Sequence, residues 1–581
     1  MINNWIEGHD YPGWMIEEGL RTLERQHLLD GETPKEMYVR VSTALATQLN
    51  KMLVKNSKWS DDQITKYCEI VKTKWFDYMW AGWLCPSTPI LANCGTNRGY
   101  TISCYINRVP DSIDGIYNKL HETALLTKMG GGVGITFDKI RGRGEPISTG
   151  GFTEGTIPFI KVYDSAIVAT SQGSVRRGAI SINLPIRHKD IKEFLKIRLP
   201  IGDVNRQSLN VNHCVTIDDY FYESLLNGDS IAREIWAELL STRMKTGQPY
   251  IFNYHNANKN KPDDFKRRNL KIDGTNICTE IMAPHDFEHT VVCDLASVNL
   301  TKWDEFKDNE EFIELSLLFL DCNLEQYIED ASGKIGFESA INFAKKARLL
   351  GLGVLGWHTY LQSKMIPFNS LTSKAWIRKI GTKFQVDGNN YNRKWGEILG
   401  NPEWCDYNRN TTLFAIAPTT TNSLVSGGVS QGIEPIICNA WVQKSAKGTF
   451  IRKNKHFQKL MQKKYKEYDT ELLWNDIMVK HQGSVQHLDF LTNDEKEVFL
   501  TAYELNQLEL VKNAAIWQQY VDQGISLNLF FPADVDPKWF NKVHLTAWEE
   551  GIKSLYYVRT ESILSRNMKS STFSDCLHCE G

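Results

Sequence analysis

Residues 129–137 read MGGGVGITF. A glycine cluster is followed by a short run of valine, isoleucine, threonine and phenylalanine, the composition of a buried strand entered through a tight turn. The same texture recurs in GAISINLP (178–185) and LNVNHCVTI (209–217). Helical patterns lie between and beyond these runs, as in DSIDGIYNKLHETALLTKM (111–129) and over 337–350. Strand and helix alternating over a span of this length predict an α/β fold with parallel strands. The glycines do not supply G-x-G-x-x-G, so a dinucleotide-binding reading is weak.

Working outward, residues 1–84 read as helices. Thr33-Pro34 is a cap followed by proline at the first helical position, and 61–83 (DDQITKYCEIVKTKWFDYMWAGW) is amphipathic at helical spacing. The 581 residues carry 42% hydrophobic and 23% charged side chains, ample for a core and unlike a disordered chain. Lys plus Arg number 67 against 69 Asp plus Glu, which excludes nucleic-acid binding through a bulk basic field. No window reaches the roughly 20 apolar residues of a membrane helix. The N-terminus MINNWIEGHDYPGW lacks the basic and apolar regions of a secretory signal, so a cytoplasmic protein with no membrane partner is expected. The 12 cysteines fall far below a disulfide scaffold and default to small buried hydrophobes.

A few constellations stand apart from that default. Cys576 and Cys579 form C-x-x-C in a polar, small-residue tail. A structural zinc site needs four ligands and a c-type haem needs His directly after the second Cys, so a dithiol pair on a mobile carrier is the better reading. In NICTE (276–280), an extended strand would turn Asn276, Cys278 and Glu280 to one face. A carboxylate beside a thiol disfavours thiolate, which points to a thiol acting in its neutral form. Tyr556-Tyr557 reads either as packing or as a pair of redox-active phenols. The hydroxyl- and glycine-rich segment 417–435 (APTTTNSLVSGGVSQGIEP) offers Thr419, Thr420, Thr421, Asn422 and Ser423 to a phosphate without a Walker A pattern. The basic stretch 444–466 reads as a solvated helix face.

Taken in chain order, PSTPILANCGT (86–96), SCYINRVPDSID (103–114), GGGVGITFDKIRGRGEPI (130–147), SQGSVRRGA (171–179), NICTE (276–280), CDLASVNL (293–300), APTTTNS (417–423), GIEP (432–435) and SLYY (554–557) resemble the large catalytic subunit of class I ribonucleotide reductase. The resemblance implies a ten-stranded α/β barrel of two antiparallel halves, five parallel strands each, with a finger loop carrying NICTE through its centre. It implies an N-terminal helical domain over 1–84, the barrel over 85–565 and a redox tail over 566–581. The activity implied is reduction of ribonucleoside diphosphates to 2′-deoxyribonucleoside diphosphates. Cys278 would be the thiyl radical, Glu280 the general base and Asn276 a hydrogen-bond partner of the substrate hydroxyls. Cys104 and Cys293 would be the reducing pair. Tyr556 and Tyr557 would relay the radical, and Cys576 and Cys579 would re-reduce the site. Ser87, Thr88, Ser103 and the 419–423 segment would hold the substrate.

The same resemblance implies a specificity site at a homodimer interface for ATP, dATP, dTTP and dGTP, with Asp111, Arg141, Gln172 and Arg176 as its residues. Ser148 stands where an arginine is expected, and Arg143 is its candidate substitute. Only 87 residues precede Thr88, so no N-terminal ATP cone and no dATP shut-off through one are expected. Such compact members occur in bacteria and in bacterial viruses. This chain would bind no cofactor directly. Its radical would come from a metal-containing small subunit, and its electrons from thioredoxin or glutaredoxin. Two alternatives stay open on the sequence: an adenosylcobalamin-dependent class II reductase, against which the tandem tyrosine argues, and a non-catalytic nucleotide-binding regulator.

Overall fold

The computed structural model describes residues 10–170, 178–445 and 448–561, without the side chains of 442–451 and 561. Its N-terminal part is built from helices Glu17–Gln26, Pro34–Asn56 and Asp61–Trp80. The second begins at Thr33, whose hydroxyl accepts from the Glu36 N–H while Glu36 reaches back to the Thr33 N–H, and Ser60 and Gln63 repeat that box on the third. Met37, Val41, Leu45, Leu49 and Met52 line one buried face of the second helix, and Ile64, Cys68, Val71 and Trp75 one of the third. Spacings of three and four bring each set onto a single stripe. The Trp75 indole N–H donates to the Leu315 carbonyl at 2.7 Å, tying these helices to helix Phe312–Ala331.

Strands follow: β1 Leu84–Pro86, β2 Cys104–Arg108, β3 Gly132–Thr136, β4 Ala179–Pro185, β5 Asn212–Ile217, β6 Tyr250–Asn253, β7 Val291–Asn299 and β8 Leu350–Leu355. Strands β2 to β6 lie side by side in chain order, all parallel. β7 joins antiparallel to β2, and β8 is parallel to β7. The parallel succession then continues through 412–416, bridged to β8 at Phe414, and through 524–528, bridged to Ile416 at Ile525. The Tyr556 N–H donates to the Leu527 carbonyl, and strand Ser554–Leu555 pairs antiparallel with β6. Eight strands and two extended segments, five members to each half, thus close a ring of two antiparallel halves, the barrel that the α/β pattern and the resemblance lead one to expect. Strands buried on both faces need near-continuous apolar runs, and β3, β7 and β8 are buried along their whole length.

Two local expectations differ from the structure. The NICTE segment is not a strand. It turns inside the ring, with the Thr279 N–H bonded to the Asn276 carbonyl at 3.2 Å and Thr279 at φ 69°. The basic stretch 444–466 is a helix only from Lys455 to Lys464, and its first part belongs to paired strands Ala440–Ser445 and Gly448–Lys453. A hairpin fixes its two strands by cross-strand pairing, which a helical reading of charge spacing does not register.

Candidate active site

The turn at 276–280 enters the barrel because β3 offers it no side chains at Gly132 and Gly134. A Cβ on Gly132 would stand 2.7 Å from Ile277 Cγ2, and one on Gly134 2.8 Å from Asn276 Cα and against the Thr275 carbonyl. The Asn183 amide on β4 donates to the Thr275 carbonyl at 3.0 Å, and the Gly524 N–H to the Glu280 carbonyl at 2.7 Å. The turn is therefore clamped from both halves of the ring.

Asn276, Cys278 and Glu280 are all buried. The Asn276 side-chain oxygen accepts from the Ile281 N–H at 3.0 Å, while its Nδ2, shielded from solvent, has no partner among the described residues. Ser526 Oγ lies 2.5 Å from the Cys278 carbonyl oxygen and 3.2 Å from Glu280 Oε2, so it braces both residues at once. Cys104 and Cys293 sit directly opposite each other across β2 and β7, both buried and both thiols. Opposed residues of an antiparallel pair share a face and stand about 4.5–5.5 Å apart at Cα. Burial first, then the Cys104 thiol and the Glu280 carboxylate, push the Cys293 thiol well above the ordinary range. It is neutral.

The Tyr556 hydroxyl points at Cys278 Sγ from 3.7 Å. Its ring meets that of Tyr557 at 4.4 Å between centroids, and Tyr250 on β6 packs against both, at 4.7 and 5.0 Å. Tyr557 is half-buried, with the Arg559 guanidinium 4.5 Å over its ring. Arg243 reaches from helix Ser230–Thr246 to donate to the Tyr556 carbonyl at 3.1 Å. The Tyr557 N–H donates to the Asn528 side chain at 3.1 Å, and the Asn528 N–H to Glu434 at 3.1 Å. Burial raises the Glu434 carboxyl to about 7 against the pull of its Asn528 hydrogen bonds.

Thr419 adopts φ 56°, and Thr420–Val425 is a short helix directly after it. The Thr419 hydroxyl accepts from the Gly432 N–H at 2.8 Å, Thr420 donates to Gln431 at 3.2 Å and Ser423 to the Thr420 carbonyl at 3.1 Å. Thr421 is buried beside them. Asn422 donates to the Pro86 carbonyl at 3.2 Å, bringing this segment to Ser87 and Thr88, and the Ser87 N–H donates to the Leu295 carbonyl at 3.2 Å, two residues past Cys293. Ser103 adjoins Cys104. The hydroxyls of Ser87, Thr88 and Ser103 are buried and have no partner among the described residues.

Asp111 and Arg141 form an ion pair at 2.7 Å. Arg143 pairs with Glu154 at 3.2 Å, and Ser148 is exposed on the same loop. Gln172, Arg176, Cys576 and Cys579 lie outside the described residues. The sequence reading passed over Ser526, Tyr250, Arg243, Asn528 and Glu434. Only Glu434 carried a signal, as part of GIEP.

Comparison with known proteins gives one answer throughout. The family model "Ribonucleotide reductase, barrel domain" matches residues 102–232, 229–388 and 406–558, and "Ribonucleotide reductase, all-alpha domain" matches 17–99. The chain is 31% identical over 586 residues to the ribonucleoside-diphosphate reductase large subunit of Invertebrate iridescent virus 3, covering 87% of this chain and 91% of that protein. It is 28% identical to ribonucleoside-diphosphate reductase subunit alpha of Chlamydia pneumoniae, over 92% of this chain and 57% of that one. The solved Actinobacillus ureae class Id ribonucleotide reductase alpha subunit superposes with a TM-score of 0.84 at 34% identity, over 96% of this chain and 99% of that chain.

Proposed function

The chain belongs to the family of class I ribonucleotide reductase large subunits, and from that premise we propose how its own residues carry out ribonucleoside-diphosphate reduction. Cys278, as a thiyl radical, abstracts the 3′ hydrogen of the ribose. Glu280 takes the 3′-OH proton as general base, its other carboxylate oxygen steadied by Ser526. The 2′-OH departs as water with a proton from Cys104 or Cys293. The two thiols lose two electrons and end joined as a disulfide, while Cys278 returns its hydrogen to C3′ and is again a thiyl. Asn276 Nδ2, buried without a partner among the described residues, suits a hydrogen bond to the substrate hydroxyls. The neutral thiol at Cys293 fits this chemistry, in which hydrogen atoms and protons leave a thiol rather than a standing thiolate.

One observation carries the reading: Tyr556 aims its hydroxyl at Cys278 sulfur, and the half-buried Tyr557 meets its ring edge-on at 4.4 Å. The pair serves as a relay for a radical delivered by a metal-containing small subunit. A groove of about 580 Å³ between helices Ser230–Thr246 and Pro537–Glu549, lined by Trp236, Leu240, Met244 and Phe540, suits that partner. The diphosphate lies on Thr419–Ser423 with Ser87, Thr88 and Ser103. Asp111 and Arg141, with Gln172 and Arg176, hold ATP, dATP, dTTP or dGTP at a homodimer interface. Cys576 and Cys579 carry electrons in from thioredoxin or glutaredoxin. Among the described residues no helix is long and apolar enough to cross a membrane, and we assign the enzyme to the cytoplasm, that of the host if it is viral.

The test is CDP reduction with ATP and dithiothreitol, run with candidate small subunits and separately with adenosylcobalamin. Activity only with a small subunit, lost in Tyr556→Phe, supports the relay. Activity with cobalamin alone overturns it.

A further inference from the structure

Helix Glu471–Val479 lies in a lobe with its own core of Phe457, Met461, Trp474, Ile477, Val485 and Phe499. After the helix the chain passes through Gln482 at φ 53° and Gly483 at φ 86°, and the Gly483 N–H returns to the Ile477 carbonyl at 2.8 Å. That reversal lays His481 and His487 against Asp476. His487 Nε2 is 3.2 Å and His481 Nε2 3.7 Å from the same carboxylate oxygen, Oδ2. The other oxygen, Oδ1, is held by Lys480 at 2.8 Å. The two imidazoles lie face to face, 3.4 Å apart and 8° from parallel. One donor atom from each of the three residues falls within 4.8 Å of the others.

Two features separate this cluster from an ordinary surface ion pair. Both ring nitrogens of His487 are screened from solvent and make no well-formed hydrogen bond, although Nε2 is near the carboxylate. The donor spacing also fits a metal. Four-coordinate zinc with bonds of about 2.0–2.1 Å holds its donors about 3.3 Å apart, close to the 3.2 and 3.7 Å between the histidine nitrogens and Oδ2. Two imidazoles with one carboxylate favour a late first-row divalent ion over calcium or magnesium, which take oxygen donors.

We propose that Asp476, His481 and His487 form a three-ligand site for a zinc-type divalent cation, with water completing the shell. Oδ2 of Asp476 and one nitrogen of each histidine bind the ion, and the rings splay from parallel so that each lone pair meets it. The site fastens loop 480–487 to the end of helix Glu471–Val479. Asn439, which bonds the Gly483 carbonyl through its N–H at 2.9 Å and its amide at 3.2 Å, links that loop to the 432–435 segment.

Cobalt(II) is the probe, added to the full-length chain and followed by metal content after dialysis, visible absorption and thermal unfolding. The wild-type chain is expected to retain one cobalt more than His481→Ala, His487→Ala or Asp476→Asn. Its unfolding equilibrium should shift about 100-fold toward the folded state at 100 times the dissociation constant, with no such shift in the variants. The 12 cysteines offer rival sites, but thiolate-bound cobalt announces itself by intense near-ultraviolet charge-transfer absorption that nitrogen and oxygen ligands do not give. Side-chain exposure of 37% makes His481→Ala the variant that leaves the fold intact, checked by wild-type melting in EDTA. Equal cobalt in wild type and His481→Ala, or an extra cobalt bearing thiolate absorption, overturns the site.

Discussion

Substituting Gly134 by alanine tests whether the position of Cys278 depends on the bare backbone of β3. The new methyl would stand 2.8 Å from Asn276 Cα and closer still to the Thr275 carbonyl oxygen. Carbon atoms pack at about 3.5–4.0 Å, so the turn must retreat by about 1 Å. Neither neighbour is the free end of a side chain: both are backbone, held by Asn183 on one side and Gly524 on the other. Overpacking of this kind costs about 1–3 kcal/mol of stability. The effect on turnover should be larger, because a 1 Å misplacement of a reacting group costs on the order of 100-fold in rate. Gly132→Ala is the control, since its methyl meets the Ile277 side chain and not the backbone of the turn. The assay is kcat for CDP reduction with saturating small subunit and dithiothreitol, alongside calorimetric melting. Expected is a folded Gly134→Ala protein about 100-fold slower than wild type, with Gly132→Ala much less affected. Turnover of Gly134→Ala within a factor of two of wild type, at wild-type melting temperature, would refute the argument that β3 aims the finger.

Cys278→Ser should abolish dNDP formation while equilibrium binding of the diphosphate is kept, and measurable product from that variant would sink the thiyl assignment. Replacing Cys576 and Cys579 by Ser should stop thioredoxin-driven turnover but spare turnover with a small dithiol, and equal loss with both reductants would remove the shuttle. Glu434 is protonated more readily in the fold than in the unfolded chain, so the folded state binds the extra proton and stability falls as pH rises from about 4.5 through about 7. Its contribution is bounded by about 3 kcal/mol. Glu434→Gln should flatten the decline in melting temperature between pH 5 and pH 8, and an unchanged slope would mean that another group governs it.

What the sequence made legible was whatever is local. Helix Asp61–Trp80 announces itself through Ile64, Cys68, Val71 and Trp75 at helical spacing, and β3 through an apolar run after three glycines. The use of Gly132 and Gly134 was not legible, because the segment that crosses them lies some 140 residues further on and the contact is set by tertiary closure. For the same reason the facing of Cys104 and Cys293 came from the resemblance and not from spacing. Ser526 and Asn528 have no motif at all; they matter only because 524–528 becomes a barrel segment beside the finger. The finger itself misled by its alternation. Asn276, Cys278 and Glu280 are all buried, yet on a turn with Thr279 in the left-handed region, not on a pleat. Asp476, His481 and His487 went unread because their meeting requires the reversal at Gln482-Gly483.

The proposed substrate site carries a tension that explains its design. Ser87, Thr88 and Ser103 hydroxyls and Asn276 Nδ2 are buried without partners among the described residues, each at a cost of about 1–3 kcal/mol. Four such groups in one neighbourhood would be an error in a purely structural core. They are tolerated because the ring around them is rigid: Asn422 to Pro86, Ser87 to Leu295 and the Cys104–Cys293 register fix them in place whether or not they are satisfied. On that proposal a diphosphate ribose would supply acceptors and donors to all four, and its binding would recover in one step what the empty-handed groups cost. Selectivity follows too. A ligand lacking the ribose hydroxyls leaves Asn276 unpaired, and a ligand lacking the phosphates leaves the serine and threonine hydroxyls so, which penalises both without any clash.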